Sequence, residues 1–215
     1  TNKQTIIFQN TYRNQPVVEI KAGAFSESEV QEAIMTEGFV RIADRAFYGC
    51  TKLQQIIFPV SLKELGDYAL AGCASLTTAS LPMMLEQIGA YALAGTKLKN
   101  IQIPKTVFWI GEGAFSDCKF ISKMEIPNNI NEVTDKMFMG CENLTKITLH
   151  ENLQRIGEAA FKGCVNLETI YVPDSVTRIG EEAFEDVHEK FILMCSMGSY
   201  AEEYARKHKL RYQLV

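Results

Sequence analysis

The stretch Ile156 to Gly180, IGEAAFKGCVNLETIYVPDSVTRIG, is restated along most of this chain, and that restatement limits the possible folds more than any other feature. Aligned on the aromatic of Ala-Phe-x-Gly-Cys, one column reads Phe25, Phe47, Leu70, Leu93, Phe115, Phe138, Phe161 and Phe184. Successive members lie 23 residues apart, except for steps of 22 from Phe25 to Phe47 and from Leu93 to Phe115. Three further columns keep the same register. One is Pro59, Pro82, Pro104, Pro127, His150 and Pro173; the next is Gly66, Gly89, Gly111, Thr134, Gly157 and Gly180. The last is Cys50, Cys73, Thr96, Cys118, Cys141 and Cys164. Units this short cannot bury an apolar face alone, so they must stack into a continuous core.

Within each unit the run Leu-x-x-Ile-x-Ile-Pro recurs, as in Leu98–Pro104 (LKNIQIP) and Leu167–Pro173 (LETIYVP). Alternation with period two predicts a short strand with two apolar side chains inward and one residue outward. Proline ends it, because it cannot donate to a ladder. A four-residue run apolar at both ends follows, such as Val176–Ile179, and then a glycine that offers a φ > 0 turn. Ala-Phe-x-Gly-Cys reads as a tight helical turn with Phe as a core plug. The period falls in the leucine-rich range. The expected fold is an α/β solenoid of leucine-rich repeats, mostly short parallel strands and turns, with a C-terminal capping helix. One parallel sheet would line the concave side and a second set of minimal strands the other.

The chain reads as one domain over residues 1–215. Residues 1–16 form an N-terminal cap, with Thr5–Phe8 as a strand over the first coil and a polar turn from Asn10 to Gln15. Residues 17–195 hold about eight coils of 22–23 residues, the first one degenerate. Residues 196–215 form the C-terminal cap. There Ser199 and Glu202 make a capping-box pattern ahead of a helix over Tyr200 to His208, with Tyr200, Ala201, Tyr204 and Ala205 on one face. Leu210 to Val215 can add a last short strand.

Net charge is −4, so the chain has no basic footprint for nucleic acid. No apolar run approaches the roughly 18 residues of a membrane helix, so insertion of this chain is not expected. The opening TNKQTIIFQN lacks the basic and apolar regions of an export signal, which leaves export undecided by these residues. Five of the six cysteines share one repeat column that also takes Thr96. Neighbouring coils stand about 4.8 Å apart, a little beyond comfortable Cβ–Cβ bridging, so the column reads as small core filler rather than disulfides or a metal site. His150, His188 and His208 are dispersed through the repeats, whereas metal binding or general-base work needs convergent groups. No catalytic residue, metal or cofactor is nominated.

Function must then come from exposed faces. The outward strand positions form two rows: Gln55, Thr78, Asn100, Lys123, Lys146, Thr169, and Ile57, Ser80, Gln102, Glu125, Thr148, Tyr171. Their character varies from coil to coil, as a binding surface requires and an even spacer does not. The candidate contact set on this concave face is Gln102, Lys123, Glu125, Lys146, Thr148 and Tyr171. A rival is Phe108–Trp109, two aromatics at positions that other units fill with polar pairs such as Lys63–Glu64 and Thr177–Arg178. They would make a convex contact or else fold back over neighbouring coils.

The unit Ser-Val-x-x-Ile-Gly-x-x-Ala-Phe-x-x-Cys-x-x-Leu-x-x-Ile-x-Ile-Pro resembles the BspA-type leucine-rich repeat family of microbial surface proteins, from about Val17 to Cys195. The closing SYAEEYARKHKL resembles that family's usual C-terminal helix. Thr134, His150, Thr96, Leu70 and Leu93 depart mildly from its pattern. The resemblance implies a secreted or cell-surface protein that adheres to or binds an extracellular protein or glycan, and it carries over no catalytic residue. The expected function is therefore a non-enzymatic binding or adhesion module. The alternative is a structural spacer or assembly subunit without a ligand of its own.

Overall fold

In the computed structural model, which describes residues 4–215, each coil has three sides, and most sides meet the next coil through main-chain hydrogen bonds. In chain order the elements are β1 (Thr5–Phe8), β2 (Thr11–Tyr12), β3 (Gln15–Pro16), β4 (Glu19–Ile20), β5 (Glu32–Met35), β6 (Arg41–Ile42), β7 (Gln55–Ile57), β8 (Glu64–Leu65) and β9 (Gln87–Ile88). They continue with β10 (Trp109–Ile110), β11 (Lys123–Glu125), β12 (Glu132–Val133), β13 (Lys146–Thr148), β14 (Arg155–Ile156), β15 (Thr169–Tyr171), β16 (Arg178–Ile179), β17 (Ile192–Cys195), α1 (Tyr200–Lys207) and β18 (Tyr212–Leu214). Coils are numbered below from the aromatic column, coil one at Phe25 and coil eight at Phe184.

The first side carries the Ile-x-Ile strands, in parallel groups β1-β5-β7, β11-β13 and β15-β17-β18. The second carries two-residue strands, β4-β6-β8-β9-β10 and β12-β14-β16. The third is the Ala-Phe-x-Gly-Cys segment, and it is not helical. In coil two, Ala46, Tyr48 and Cys50 donate to carbonyls three residues back, while Arg45, Phe47 and Gly49 donate to Asp67, Ala69 and Ala71 of the next coil at 2.8 Å. Left-handed backbone at Arg45 (φ 57°) and Gly49 (φ 67°) makes this alternation possible. The same conformation recurs at Tyr68, Tyr91, Lys136, Ala159 and Glu182. The one helix among the described residues is α1, so the repeats form a β-solenoid and the α component lies outside them.

The glycine column also has a different cause from the one expected. Gly66, Gly89, Gly111, Gly157 and Gly180 do not have positive φ. They are needed because the preceding coil passes too close. A Cβ on Gly89 would stand 2.5 Å from Asp67 N, and one on Gly180 2.6 Å from Glu158 Cα.

Inside the stack, Phe115, Phe138, Phe161 and Phe184 are stacked at centroid spacings of 5.5 to 5.7 Å. The cysteines at this corner are buried and free. Each column thiol donates to the carbonyl of the aromatic-column residue one coil earlier, for example Cys141 Sγ to Phe115 O at 3.1 Å. Thr96 is equally buried but donates to Leu93 O of its own coil.

Both ends are covered. Phe8 packs edge-on against Phe25, Phe39 and Phe47, and Asn10 to Gln15 folds as the small hairpin β2–β3. At the other end Ser199 Oγ accepts from Glu202 N, and the Glu202 carboxylate accepts from Gly198 N at 2.7 Å. Ala201, Glu202, Tyr204 and Ala205 are the buried residues of α1; Tyr200, expected on that face, is exposed. β18 adds the expected last strand beside β17.

Candidate binding face

Coil four breaks the regular pattern. Its strand segment, Leu98 to Ile103, makes no main-chain hydrogen bond on either side among the described residues. Coil three reaches only a single bridge, Gln55 to Thr78, on its other side. Coil four has a turn one residue shorter than coils two and three, with Thr96-Lys97-Leu98 where Cys73-Ala74-Ser75-Leu76 stands in coil three. Coil one has the same shortening and still pairs its strand, β5, with β7. Shortening alone is therefore insufficient. What differs is Ser80 in coil three, where β5 and β7 hold Ile34 and Ile57, and Asn100 in coil four, residues that pack poorly on a pleated surface.

The second side opens at the next step. Elsewhere the glycine-column N–H donates to the strand of the previous coil, as Gly157 does to Val133 O at 2.7 Å. Thr134 occupies that column in coil five, where its Cβ has no room at the regular spacing. β10 and β12 are not paired with each other, and Thr134 instead donates its hydroxyl to Gly111 O at 3.0 Å. The third side stays closed across the same step, with Gly113, Phe115 and Asp117 donating to Asp135, Met137 and Met139. There Glu112 accepts from Lys136 (2.7 Å) and Tyr91 (2.8 Å). The Lys136 ammonium, then the Tyr91 hydroxyl, hold the Glu112 carboxyl below its usual range, and burial ahead of Glu112 pushes Tyr91 to about 12. The solenoid is thus hinged open on two sides and tied on the third.

Over the opening in the first side lies a depression of about 840 Å³. Five of the six residues picked out on the sequence, Gln102, Lys123, Glu125, Lys146 and Thr148, line it. Lys123 pairs in register with Lys146, and Glu125 with Thr148. Tyr171 lies outside the depression but on the same sheet side, half-exposed on β15. A smaller hollow of about 300 Å³ lies between Ala79–Leu81 and Asn100–Gln102. Reading along strands missed Met83, Lys105, Asn128 and Asn129, which also line the larger hollow. They sit one or two residues past the proline column, so counting past Pro82, Pro104 and Pro127 would have found them.

Phe108 and Trp109 are 55% and 45% exposed, so about half of each side chain is open to solvent. Trp109 ends the row Glu19, Arg41, Glu64, Gln87, Trp109 on the open edge of β10. Up to that point the row is tied by ions: Arg41 binds Glu19 at 3.0 Å and Glu64 at 2.9 Å. Beyond the break Arg155 binds Glu132 and Asp135.

Among the described residues no group of three His, Cys, Asp or Glu side chains is placed to hold a metal ion, and no helix is long and apolar enough to cross a membrane. Two comparisons locate the chain among known proteins. A model of the BspA type leucine rich repeat region matches residues 18–95 and 72–190, in six copies. A leucine-rich repeat protein of T. pallidum has a similar structure, with a TM-score of 0.70 and 30% identity over 77% of this chain and 78% of that one. One from Bacteroides ovatus gives 0.68 and 25% identity; 97% of this chain corresponds to 59% of it. No curated protein matches the sequence.

Proposed function

This chain belongs to the BspA-type leucine-rich repeat family, and from that premise we propose that it is a non-enzymatic binding module, displayed at a cell surface, that recognises an extracellular partner through the first sheet side. The observation that carries the reading is the convergence of Gln102, Lys123, Glu125, Lys146 and Thr148 on one open depression where the sheet is interrupted. The first side is also unpaired between β13 and β15, but only in coil four does a strand segment bond to neither neighbouring coil among the described residues. Mixed charge, amides and the nearby Tyr171 are the composition of a moderate-affinity contact. The family resemblance supports the secreted or surface location.

A spacer role gains some support from the ion-tied row on the second side, which is evenly polar as far as Gln87. A screen against extracellular proteins and glycans separates the two, since a spacer yields no specific hit. With a hit in hand, two double variants locate the surface: Lys123→Ala with Tyr171→Ala, and Phe108→Ser with Trp109→Ser. Loss of binding in the first supports the sheet side. Normal binding in the first and loss in a folded second would move the site to the aromatic pair.

A further inference from the structure

We infer that the open segment Leu98–Ile103 takes an extended, acidic peptide as an added strand, its main chain bonding to this segment and its carboxylates meeting Lys105, Lys123 and Lys146. The inference rests on the reading of the first sheet side as the binding surface and names the class of its partner. Two independent observations lead to it.

The first is the unspent main chain. Leu98 to Ile103 present N–H and C=O groups with no partner among the described residues. β11 adds to them. It meets β13 through Ser122 O and Ile126 N, so in a parallel ladder the alternate groups of Lys123 and Glu125 turn towards coil four. Hollows of about 840 and 300 Å³ are lined by Asn100 to Ile103 of this segment. Extended peptides bind exposed strand edges by these main-chain bonds, with alternate side chains setting specificity. A glycan has no such ladder to offer.

The second is charge. Lys21, Lys52, Lys63, Lys119, Lys136, Lys162 and Lys207 all have carboxylate partners. Lys97, Lys99, Lys105, Lys123 and Lys146 on coils four to six have none among the described residues, and neither do Lys190 and Lys209 near the C-terminal end. Lys123 and Lys146 stand directly opposite on paired strands, a like-charge arrangement that weakens a sheet unless an anion bridges it. Glu125 is one carboxylate beside three lysines on the rim. An acceptor strand with acids on its outward positions satisfies the lysines, while its inward positions lie on Leu81, Ile101 and Met124.

The probe is a capped hexapeptide of alternating glutamate and valine. Its controls are the glutamine-for-glutamate peptide and the same peptide N-methylated at alternate residues, which cannot donate along one edge. Titration by fluorescence anisotropy should show the parent peptide binding, with affinity falling steeply as salt rises. Lys123→Gln with Lys146→Gln, both surface changes, should weaken it about tenfold, the loss of two charge-assisted contacts. N-methylation should abolish binding. Amide exchange should show protection gained at Leu98–Ile103 when the peptide is added.

No binding of the parent peptide, equal binding of the N-methylated one, equal binding to the double variant, or no gain of protection would each overturn the inference. The broader reading has its own readout. A screened ligand that still depends on Lys123 and Tyr171 leaves that reading standing when the hexapeptide fails; a ligand indifferent to both removes it.

Discussion

Gly89→Ala tests the claim that the stack is held at its spacing by a column without side chains. The added Cβ would lie 2.5 Å from Asp67 N and against the Gly66 carbonyl carbon. Both are main chain, so no rotamer change relieves the contact, and coils two and three must part by about 1 Å to reach ordinary contact distance. Three bonds cross that step here: Gly89 N to Leu65 O at 2.7 Å, Tyr68 N to Ala90 O at 2.7 Å, and Ala90 N to Asp67 Oδ1 at 2.8 Å. Lengthened by about 1 Å, all pass beyond hydrogen-bonding range. At about 0.5–1.5 kcal/mol net for each bond, the variant should lose roughly 2–4 kcal/mol. Gly23→Ala is the control: its φ is +64° but nothing lies within 4 Å of a Cβ, and the equivalent positions hold Arg45 and Tyr68. It should lose only about 1 kcal/mol, the conformational cost. Equilibrium urea unfolding measures both, and amide exchange at Gly66 to Tyr91 locates the damage. If Gly89→Ala loses no more than Gly23→Ala and those amides stay protected, the close-approach explanation is wrong.

The converse change, Thr134→Gly, should let β10 pair with β12 and raise stability by about 1 kcal/mol; an unchanged urea midpoint with Ile110 and Thr134 amides still unprotected would count against it. Truncation after Met197 removes Tyr204, whose hydroxyl donates to Gly180 O and whose ring lies 6.1 Å from Phe184; the melting temperature should fall or aggregation appear, and a monomer with unchanged melting would refute the capping role. All six thiols should alkylate in denaturant without reductant and resist labelling in the native state; fewer than six labelled on denaturation would mean that some are bridged. Burial pushes Cys118 to about 11 and Cys164 to about 12, and Tyr91 and Tyr204 to about 12. The unfolded chain ionises these groups first, from about pH 8.5 for thiols and about pH 10 for tyrosines. Stability should therefore be full below about pH 8.5 and fall from there towards pH 12, and a urea midpoint flat over that window would contradict the burial.

What could be read from the sequence was whatever is repeated within one coil. The proline stops, the inward Ile-x-Ile pair and the terminal helix follow from local spacing, as do the first-side strands outside coils three and four; the strand expected at Leu98–Ile103 does not form. What could not be read depends on two coils at once. The glycine column looks like a turn signal until the preceding coil is seen lying against it. Left-handed backbone at Arg45, Tyr68 and Lys136 is invisible because those residues rarely adopt it, and only the inter-coil bonds of the third side impose it. On α1, helical periodicity counted Tyr200 as a packing residue, but buried Glu202 holds the cap through Gly198 N and Arg206. Of the candidate site, the strand residues were legible as outward rows, but the depression itself was not, since it exists only because coil four fails to pair.

That failure explains why function should gather at one place in a repetitive molecule. In a regular stack every strand amide is spent on a neighbour, and a surface of this kind offers a partner side chains alone. Here three departures fall across coils three to five: the short turn after Thr96, the weak strand formers Ser80 and Asn100, and Thr134 in the glycine column. Each is mild alone, yet together they free a six-residue main-chain segment, Leu98 to Ile103. The same break leaves Trp109 on an unpaired strand edge. The third side, closed through Phe115 and reinforced by the Tyr91–Glu112–Lys136 cluster, keeps the two halves of the stack joined while the other sides open. Uniform coils supply the rigid frame, and the irregular ones supply the groups that a partner can use.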